Sequence, residues 1–474
     1  MYDITIIGAG IIGTLLAHEL SRYELNVLVV EKEADVAEGA SGANSAIIHS
    51  GHDPKPGTLK CRYNLLGNRM YPDLCKQLQV DYEANGAFVV ATSKAEEENL
   101  DVLIRQCEER SIPFEVLTGD QARKEEPNLS PDVTKALSLP TTGIIMPFEV
   151  AIAAMEEAMM NGVELKLDYE VKTIDRDEEG FVINGEIKTK MIVNCAGAHC
   201  DEITEMLEPS PYKVETRKGE YFVLDHMDVP FVKHTIYPVP SEKGKGVLAM
   251  PTIHGNVLLG PDSEYCQDVE DDSTGKGLDY VRKEIAKTVV NIPFNKMIHT
   301  FAGLRPHIDL NDFYIKEDDN IENFIHIAGI ESPGLTSAPA IAKDVAENII
   351  LPRYKDRSVK AEYRRRRPFI DMRHMSDEEK AELIKKDPAF GQIICRCEKI
   401  SEGQIVDVIN RECGARTVKG VKMRCRPGMG RCQGGFCEVE VARILAEQLK
   451  EDVRDVRLDR KGSNIVLANA KEDL

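Results

Sequence analysis

The chain has 474 residues, with 80 Asp and Glu against 60 Lys and Arg, a formal net charge of −20 at pH 7. At about 100–200 residues per domain this length predicts two to four domains, and a 42% hydrophobic, 30% charged composition excludes wholesale disorder. A field of that sign repels phosphate and argues against a general nucleic-acid binder.

The first run, YDITII at residues 2–7, is apolar and β-branched, as a buried parallel strand should be. It opens without a basic segment, and no stretch of about 18 apolar residues follows anywhere. Neither a secretory signal nor a membrane span is expected. The expectation is a cytoplasmic protein, at most peripheral to a membrane. A glycine turn, GAGIIG, leads into a helix over 11–21, then a second buried strand over 26–30 that ends at Glu31. This is a complete βαβ opening. Residues 94–110 predict an amphipathic helix, with Leu100, Leu103, Ile104 and Cys107 on one face. Another helix over 149–160 stops at Asn161-Gly162. Strands are expected at 163–167, 169–174 and 191–195, the last leading to Ala196-Gly197. Strand-like runs at 221–224 and 247–250 mark a β-rich insertion. A core strand over 325–328 runs through a glycine-rich turn into a helix over 337–350.

Composition shifts after Leu351. Residues 353–367 hold eight Lys and Arg against Asp356 and Glu362, which reads as a surface linker. Ser376 with Glu379 predicts a capping box for a helix ending near Lys386. Six of the twelve cysteines then crowd into the last fifth of the chain: Cys395, Cys397, Cys413, Cys425, Cys432 and Cys437. In a reducing compartment such crowding points to a metal or redox centre rather than to disulfides.

Gly8, Gly10 and Gly13 form G-x-G-x-x-G between a strand and a helix. The first glycine permits the tight turn, the second lets a pyrophosphate approach the backbone, and the third lets helix pack on strand. The helix N-terminus then faces the phosphates. Glu31 stands where a carboxylate meets ribose hydroxyls. The motif alone does not separate a nicotinamide from a flavin dinucleotide. Its place at residue 8, with no second copy, favours a tightly held flavin.

Over residues 1–350 the chain resembles the FAD-dependent oxidoreductases of the D-amino-acid oxidase superfamily. Six blocks carry the likeness in family order: GAGIIG with Glu31, GASGANSAIIHSG at 39–51, Val171, NCAGAHCD at 194–201, FAGLRP at 301–306 and GIESPGLTS at 329–337. The resemblance implies an α/β fold: a Rossmann-like FAD-binding domain over 1–352, with substrate-domain insertions near 80–145 and 210–310. It implies FAD contacts from Gly8, Gly10, Ile12, Gly13 and Glu31. Ser41, Ala43, Asn44 and Ser45 would run along the pyrophosphate and isoalloxazine, Val171 would meet the adenine, and Ala196 and Gly197 would cover the dinucleotide. Amides of Gly334, Leu335 and Thr336 would point at the flavin N1/O2 edge and stabilise negative charge there.

On the substrate side the resemblance makes Arg305 the binder of a carboxylate or phosphate through its planar fork, with Lys218 as a second cation. Oxidising an alcohol needs a base near neutral pH. His49, in the block beside the ring, and His307, two residues after Arg305, are the candidates. FAGLRP resembles glycerol-3-phosphate dehydrogenases and oxidases. The 42–60 segment, the run KGEY at 218–221 and the GIESPGLTSA ending look closer to L-2-hydroxyglutarate oxidases and dehydrogenases. The lysine-threonine motif that many glycerol-3-phosphate enzymes carry before the last helix is absent.

Cys395-x-Cys397 and, after a gap of thirty-four residues, Cys432-x4-Cys437 supply four thiolates in two close pairs. The C-x-C half is atypical of structural zinc. Residues 393–450 resemble the bacterioferritin-associated-ferredoxin-like [2Fe-2S] domain, which is also fused to the large subunit of anaerobic glycerol-3-phosphate dehydrogenases; 353–392 would be a linker and 451–474 a tail. Cys413 and Cys425 are read as non-ligands. Nine basic against four acidic residues between Cys395 and Cys432 oppose the global charge and would stabilise a reduced anionic cluster.

Taken together, the resemblances imply a dehydrogenase that takes a hydride from a small anionic hydroxy-substrate, glycerol 3-phosphate. It would pass electrons through the [2Fe-2S] centre to a partner or a quinone. The partners implied are a second, pyridine-nucleotide-type flavoprotein and a small cysteine-rich subunit. A 2-hydroxy acid such as L-2-hydroxyglutarate is the alternative substrate. An electron-transfer subunit without its own substrate is the alternative role.

Overall fold

Tyr2–Ile7 forms the centre of an eight-stranded sheet. The computed structural model describes residues 1–240, 246–266 and 272–468, so positions 469–474 of the expected tail lie outside the described residues. Tyr2–Ile7 pairs in parallel with Val27–Val30 on one side and Ile187–Asn194 on the other. Glu164–Lys166 extends the sheet beyond Val27–Val30, and Phe324–Ala328 extends it beyond Ile187–Asn194, both in parallel. The burial of these strands follows their sequence. VLVV and FIHIA are buried at every position, as strands covered on both faces must be. Ile187–Asn194 is longer than the expected 191–195. Its first half alternates buried and exposed residues, where it pairs antiparallel with Gly180–Ile183 at the sheet margin, and its second half is fully buried.

The Ile11–Leu20 helix crosses this sheet and packs against Pro147–Met160 and Gly334–Asp344. Leu15, Leu16, Leu20, Val150 and Ile341 share one core with Ile4, Ile6 and Val29. A helix with no counterpart in the sequence reading, Leu59–Leu78, lies across Gly334–Asp344. Thr58 caps it through a bond from the Cys61 amide, and Pro72 sits inside it. At the crossing the chain needs Gly67, because a Cβ there would lie 1.9 Å from the Thr336 carbonyl oxygen.

Two further expectations are corrected. Residues 169–173 are not a strand. Asp168 adopts φ +54°, turning the chain along the sheet edge, and pairing resumes only at Ile174–Asp177. The last helix of this part starts at Gly334, not 337, and widens into a π turn at Val345–Ile350.

The second sheet has nine strands, drawn from residues 87–139 and 214–308. Its longest pair, Val214–Leu224 and Met297–Ile308, runs antiparallel with Gly219 opposite Gly303 and Arg217 opposite Arg305. Phe88, Phe222, Ile236 and Leu259 fill one core on it.

Residues 353–367 are only partly a solvated run. Arg366 is buried: its Nε donates to Glu156 Oε2 (2.9 Å) and its Nη1 to the Leu78 carbonyl (2.6 Å). Arg411, from the cysteine-rich part, donates to the other Glu156 oxygen at 3.1 Å. One buried carboxylate therefore joins three segments. The Ser376–Glu379 capping box forms as read and starts the exposed helix Asp377–Lys386. Beyond it, Glu402–Ile409, Val418–Cys425 and Glu438–Leu449 pack around Ile405, Val408, Val421, Ile444 and Leu445.

Candidate functional site

The carboxyl ends of the parallel strands open into a cleft of about 490 Å³, where ligands bind in open α/β sheets. Its floor is the glycine turn. Gly8 has φ +102°, and a Cβ there would lie 2.5 Å from the Cys195 carbonyl oxygen. A Cβ on Gly13 would lie 2.0 Å from the Gly8 carbonyl oxygen, so helix and strand approach as closely as backbone allows. Gly10 ends the turn with no side-chain cap. The Ser41 hydroxyl takes the Ile11 amide at 2.8 Å, tying the small-residue loop to the helix start. Glu31 accepts from the Ala9 amide (2.7 Å) and the Glu33 amide (3.0 Å). Burial still pushes its carboxyl up from the usual range.

Asn44 holds the loop in shape, donating to the Ala40 and Ser41 carbonyls and accepting from the Ala46 amide at 2.8 Å. The loop abuts the second sheet where a Cβ on Gly303 would lie 1.9 Å from the Ala43 carbonyl oxygen. Ser45 Oγ and Tyr221 Oη are 2.9 Å apart, and Tyr221 stacks on Phe301. Ile12, Ser41, Ala43, Asn44, Ser45, Val171, Ala196, Gly197, Gly334 and Leu335 all wall the cleft with Gly8, Gly10 and Glu31. Gly13 and Thr336 lie behind the wall. The Thr336 hydroxyl accepts from the His49 amide at 2.9 Å, so it positions the base candidate. Pro333 gives the Gly334–Asp344 helix no side-chain cap, and first-turn amides have no intrahelical acceptor.

Of the substrate-side candidates, the structure brings two to the cleft. His49 lines it, with Nδ1 2.9 Å from Tyr237 Oη. Burial pushes the Tyr237 hydroxyl well above its ordinary range, so it stays protonated. Arg305 lines the same cleft, anchored by one Nη2 bond to the Asp262 carbonyl at 3.0 Å. The other two are held elsewhere. Lys218 donates to the Asp272 carbonyl (3.0 Å) and stands 3.4 Å from buried Glu220. His307 Nδ1 is 2.9 Å from Glu331 Oε1, which also takes Lys60 Nζ at 2.7 Å. Burial alone would raise the Glu331 carboxyl, but Lys60 and His307 hold it below its ordinary range. Tyr237 was not legible as a site residue, because the fold alone brings it to His49. Glu331 and Tyr221 fall in segments singled out in the sequence, the 329–337 block and the 221–224 run, but no spacing gave either a role.

In the C-terminal part the four expected cysteines stand as two pairs. Cys397 and Cys432 have their sulfurs 3.6 Å apart. Cys395 and Cys437 are buried, and their thiol contact lowers Cys395 to about 6 while raising Cys437. No three metal-binding side chains converge on one point among the described residues. Two pairs of thiolates fit a two-iron centre held by four cysteines. Gly430 lets the second loop close on the first, since a Cβ there would lie 2.3 Å from the Cys397 Cβ. Burial pushes Cys413 up to about 11 and Cys425 higher, so both are protonated thiols.

Two family models match the chain. The model of FAD dependent oxidoreductases covers residues 3–348, and that of the BFD-like [2Fe-2S] binding domain covers 393–447. The glycerol 3-phosphate dehydrogenase of Caloramator mitchellensis is 43% identical over 483 residues, all of both chains. The glycerol 3-phosphate oxidase of Mycoplasma genitalium is 35% identical over 73% of this chain and 94% of its own. Among solved structures, the dithionite-reduced L-alpha-glycerophosphate oxidase of Mycoplasma pneumoniae with FAD bound superposes with a TM-score of 0.72. It is 29% identical and covers 76% of this chain and 97% of that one.

Proposed function

The chain belongs to the FAD dependent oxidoreductase family and carries a BFD-like [2Fe-2S] binding domain, and from that premise we propose that it oxidises glycerol 3-phosphate to dihydroxyacetone phosphate. FAD and a [2Fe-2S] cluster are its cofactors. One observation carries the reading: the likeness to a glycerol 3-phosphate dehydrogenase runs through both domains without a gap in coverage. Arg305 and His49 on one cleft suit that substrate.

FAD, when bound, supplies a hydride acceptor. The chain supplies the rest. Arg305 binds the phosphate with the donors left over from its Nη2 bond to the Asp262 carbonyl and its Nη1 contact with the Lys218 carbonyl. His49 takes the hydroxyl proton. His49 Nδ1 lies 2.9 Å from Tyr237 Oη; in the tautomer whose Nδ1–H donates to that oxygen, Nε2 carries the lone pair. The Thr336 hydroxyl fixes the His49 backbone, which aims that nitrogen. His307 acts through the wall: Glu331, between Lys60 and His307, braces the turn that precedes the Gly334 helix.

Electrons leave one at a time through the cluster, to a pyridine-nucleotide-type flavoprotein with a small cysteine-rich subunit, or to a quinone. No helix among the described residues is long and apolar enough to cross a membrane. The test is anaerobic: glycerol 3-phosphate bleaches the flavin band of the purified protein and then the cluster absorbance, and L-2-hydroxyglutarate does not. Bleaching by L-2-hydroxyglutarate alone makes the protein a 2-hydroxy-acid dehydrogenase. Bleaching by no substrate, with rapid reduction by a partner, makes it an electron-transfer subunit.

A further inference from the structure

One residue in the cleft wall comes from beyond the flavin-binding part: Arg460, in the segment that follows the iron–sulfur module. It stands at the end walled by Glu31, Glu33 and Val171, where Glu31 is placed for ribose hydroxyls. Local geometry fixes it there. The Val418 and Lys419 amides donate to the Arg457 and Leu458 carbonyls at 3.1 and 2.8 Å. The Asp459 amide donates to Ser463 Oγ at 3.0 Å, and that hydroxyl donates to the Arg460 carbonyl at 2.6 Å. Val456, just before, is 2% exposed in the module's apolar core. The turn that carries Arg460 is therefore part of the module's fold.

Its neighbours bolt the turn to the cleft. Arg457 forks onto the Asp168 carboxylate with two bonds of 2.8 Å, and Lys461 Nζ donates to the Asp168 carbonyl at 3.1 Å. The Asp168 amide donates to the Glu33 carbonyl, and the next amide, of Tyr169, to Glu31. Arg460 itself is exposed and makes no hydrogen bond or ion pair through its guanidinium among the described residues.

Charge supplies the second argument. Glu31, Glu33 and Glu38 wall this end, yet a dinucleotide brings a diphosphate into it. Lys32, the other cation here, is already engaged with His199 at 3.0 Å, and Lys419 is engaged with Glu38. Among the described residues Arg460 is the cation at this end whose guanidinium makes no hydrogen bond, with the Asp459 carboxylate as a charged neighbour.

We propose that Arg460 completes the FAD site from the C-terminal tail, its guanidinium binding the adenosine-phosphate half of the dinucleotide. The iron–sulfur module then holds the flavin in place, a task that flavin-binding domains without such a tail perform alone. This rests on the FAD assignment and deepens it. The test uses the full chain, stripped of flavin and titrated with FAD or with FMN, which lacks the adenylate. Arg460→Ala raises the FAD Kd about tenfold, the worth of one lost charge-assisted bond. R460E raises it further, R460K restores part of it, and FMN binding is unchanged in all three. Iron and acid-labile sulfide stay at wild-type content, because the turn is held by backbone and Ser463. An FAD Kd equal to wild type in R460A and R460E overturns the proposal, as does an equal loss for FAD and FMN. A wild-type chain that binds no FAD overturns the FAD assignment instead, so the two failures are distinct.

Discussion

Arg305, on the second sheet, and His49, in the loop that follows Ile48, meet one cleft, and their roles separate in kinetics. Arg305→Ala removes a charged contact that ground state and transition state share. It therefore raises KM for glycerol 3-phosphate by about a hundredfold, with a smaller effect on kcat. H49N removes the proton acceptor and lowers kcat by about a hundredfold or more with KM held. Steady-state assays with an artificial acceptor read both; a KM unchanged in R305A removes Arg305 from the phosphate. Glu331 gives a pH prediction. Its folded pKa is lowered, so the Lys60–Glu331–His307 cluster adds stability above the unfolded carboxyl pKa of about 4.3. That stability fades as pH falls through the lowered value. E331Q loses it at neutral pH, by about 3 kcal/mol for a buried charge left without its partner. The Tm gap between E331Q and wild type is widest at pH 7 and closes toward acid; a gap constant with pH contradicts the pairing.

Elements were legible where one physical signal dominated. Tyr2–Ile7, Ile11–Leu20 and Val27–Val30 combine β-branched runs, a glycine turn and an amphipathic face, and each formed within a residue of its reading. The exposed Asp377–Lys386 helix was visible through its capping box alone. Leu59–Leu78 was hidden because its stabilisation is tertiary. It carries Gly67 and Pro72 in its interior, which read as breakers, and it forms because Tyr63, Tyr71 and Leu78 bury against the Gly334 helix and the main core. Gly67→Ala tests that account. A Cβ at 1.9 Å from a backbone oxygen forces two helices apart, which costs about 1–3 kcal/mol. The Gly334 helix faces the cleft, so flavin retention on gel filtration falls with Tm in G67A. At Gly185, where a Cβ meets open space, the positive φ of +70° limits the effect of alanine to local backbone strain, and flavin retention is kept. The site was half legible for the same reason. Glycines and Glu31 announce a dinucleotide by spacing, whereas Tyr237 reaches His49 across 188 residues of sequence.

At the scale of the molecule, the basic stretch between Cys395 and Cys432 has a role other than tuning the cluster. Much of it docks the module onto the acidic flavin domain. Arg411 reaches Glu156, Lys419 reaches Glu38, Arg424 reaches Asp35 and Arg431 reaches Asp225. Only the Arg411 and Arg424 pairs are shielded from water, Lys419 being 36% exposed, and Arg424 is the most enclosed: both partners' side chains are under 5% exposed, with an Nη2–Oδ1 bond of 2.8 Å. Exposed pairs such as Arg431–Asp225 add under about 1 kcal/mol. The Asp35–Arg424 pair behaves differently, because removing one member strands a buried charge at a cost of about 3–5 kcal/mol. Asp35 also begins the loop that lines the flavin cleft, and Arg424 precedes Cys425 in the helix packed behind the cluster core. The pair thus couples the positions of the two redox parts. In D35A, the module loosens while each part keeps its own core. Limited proteolysis between 351 and 392 then releases it faster than from wild type. In anaerobic stopped flow, glycerol 3-phosphate bleaches the flavin at the wild-type rate and the cluster follows more slowly. The double variant D35A/R424M, which removes both charges and leaves an apolar contact, recovers most of the protease resistance. If D35A and wild type show the same cleavage and the same cluster phase, docking does not depend on this pair, and the covalent linker with Glu156 alone sets the distance between the centres.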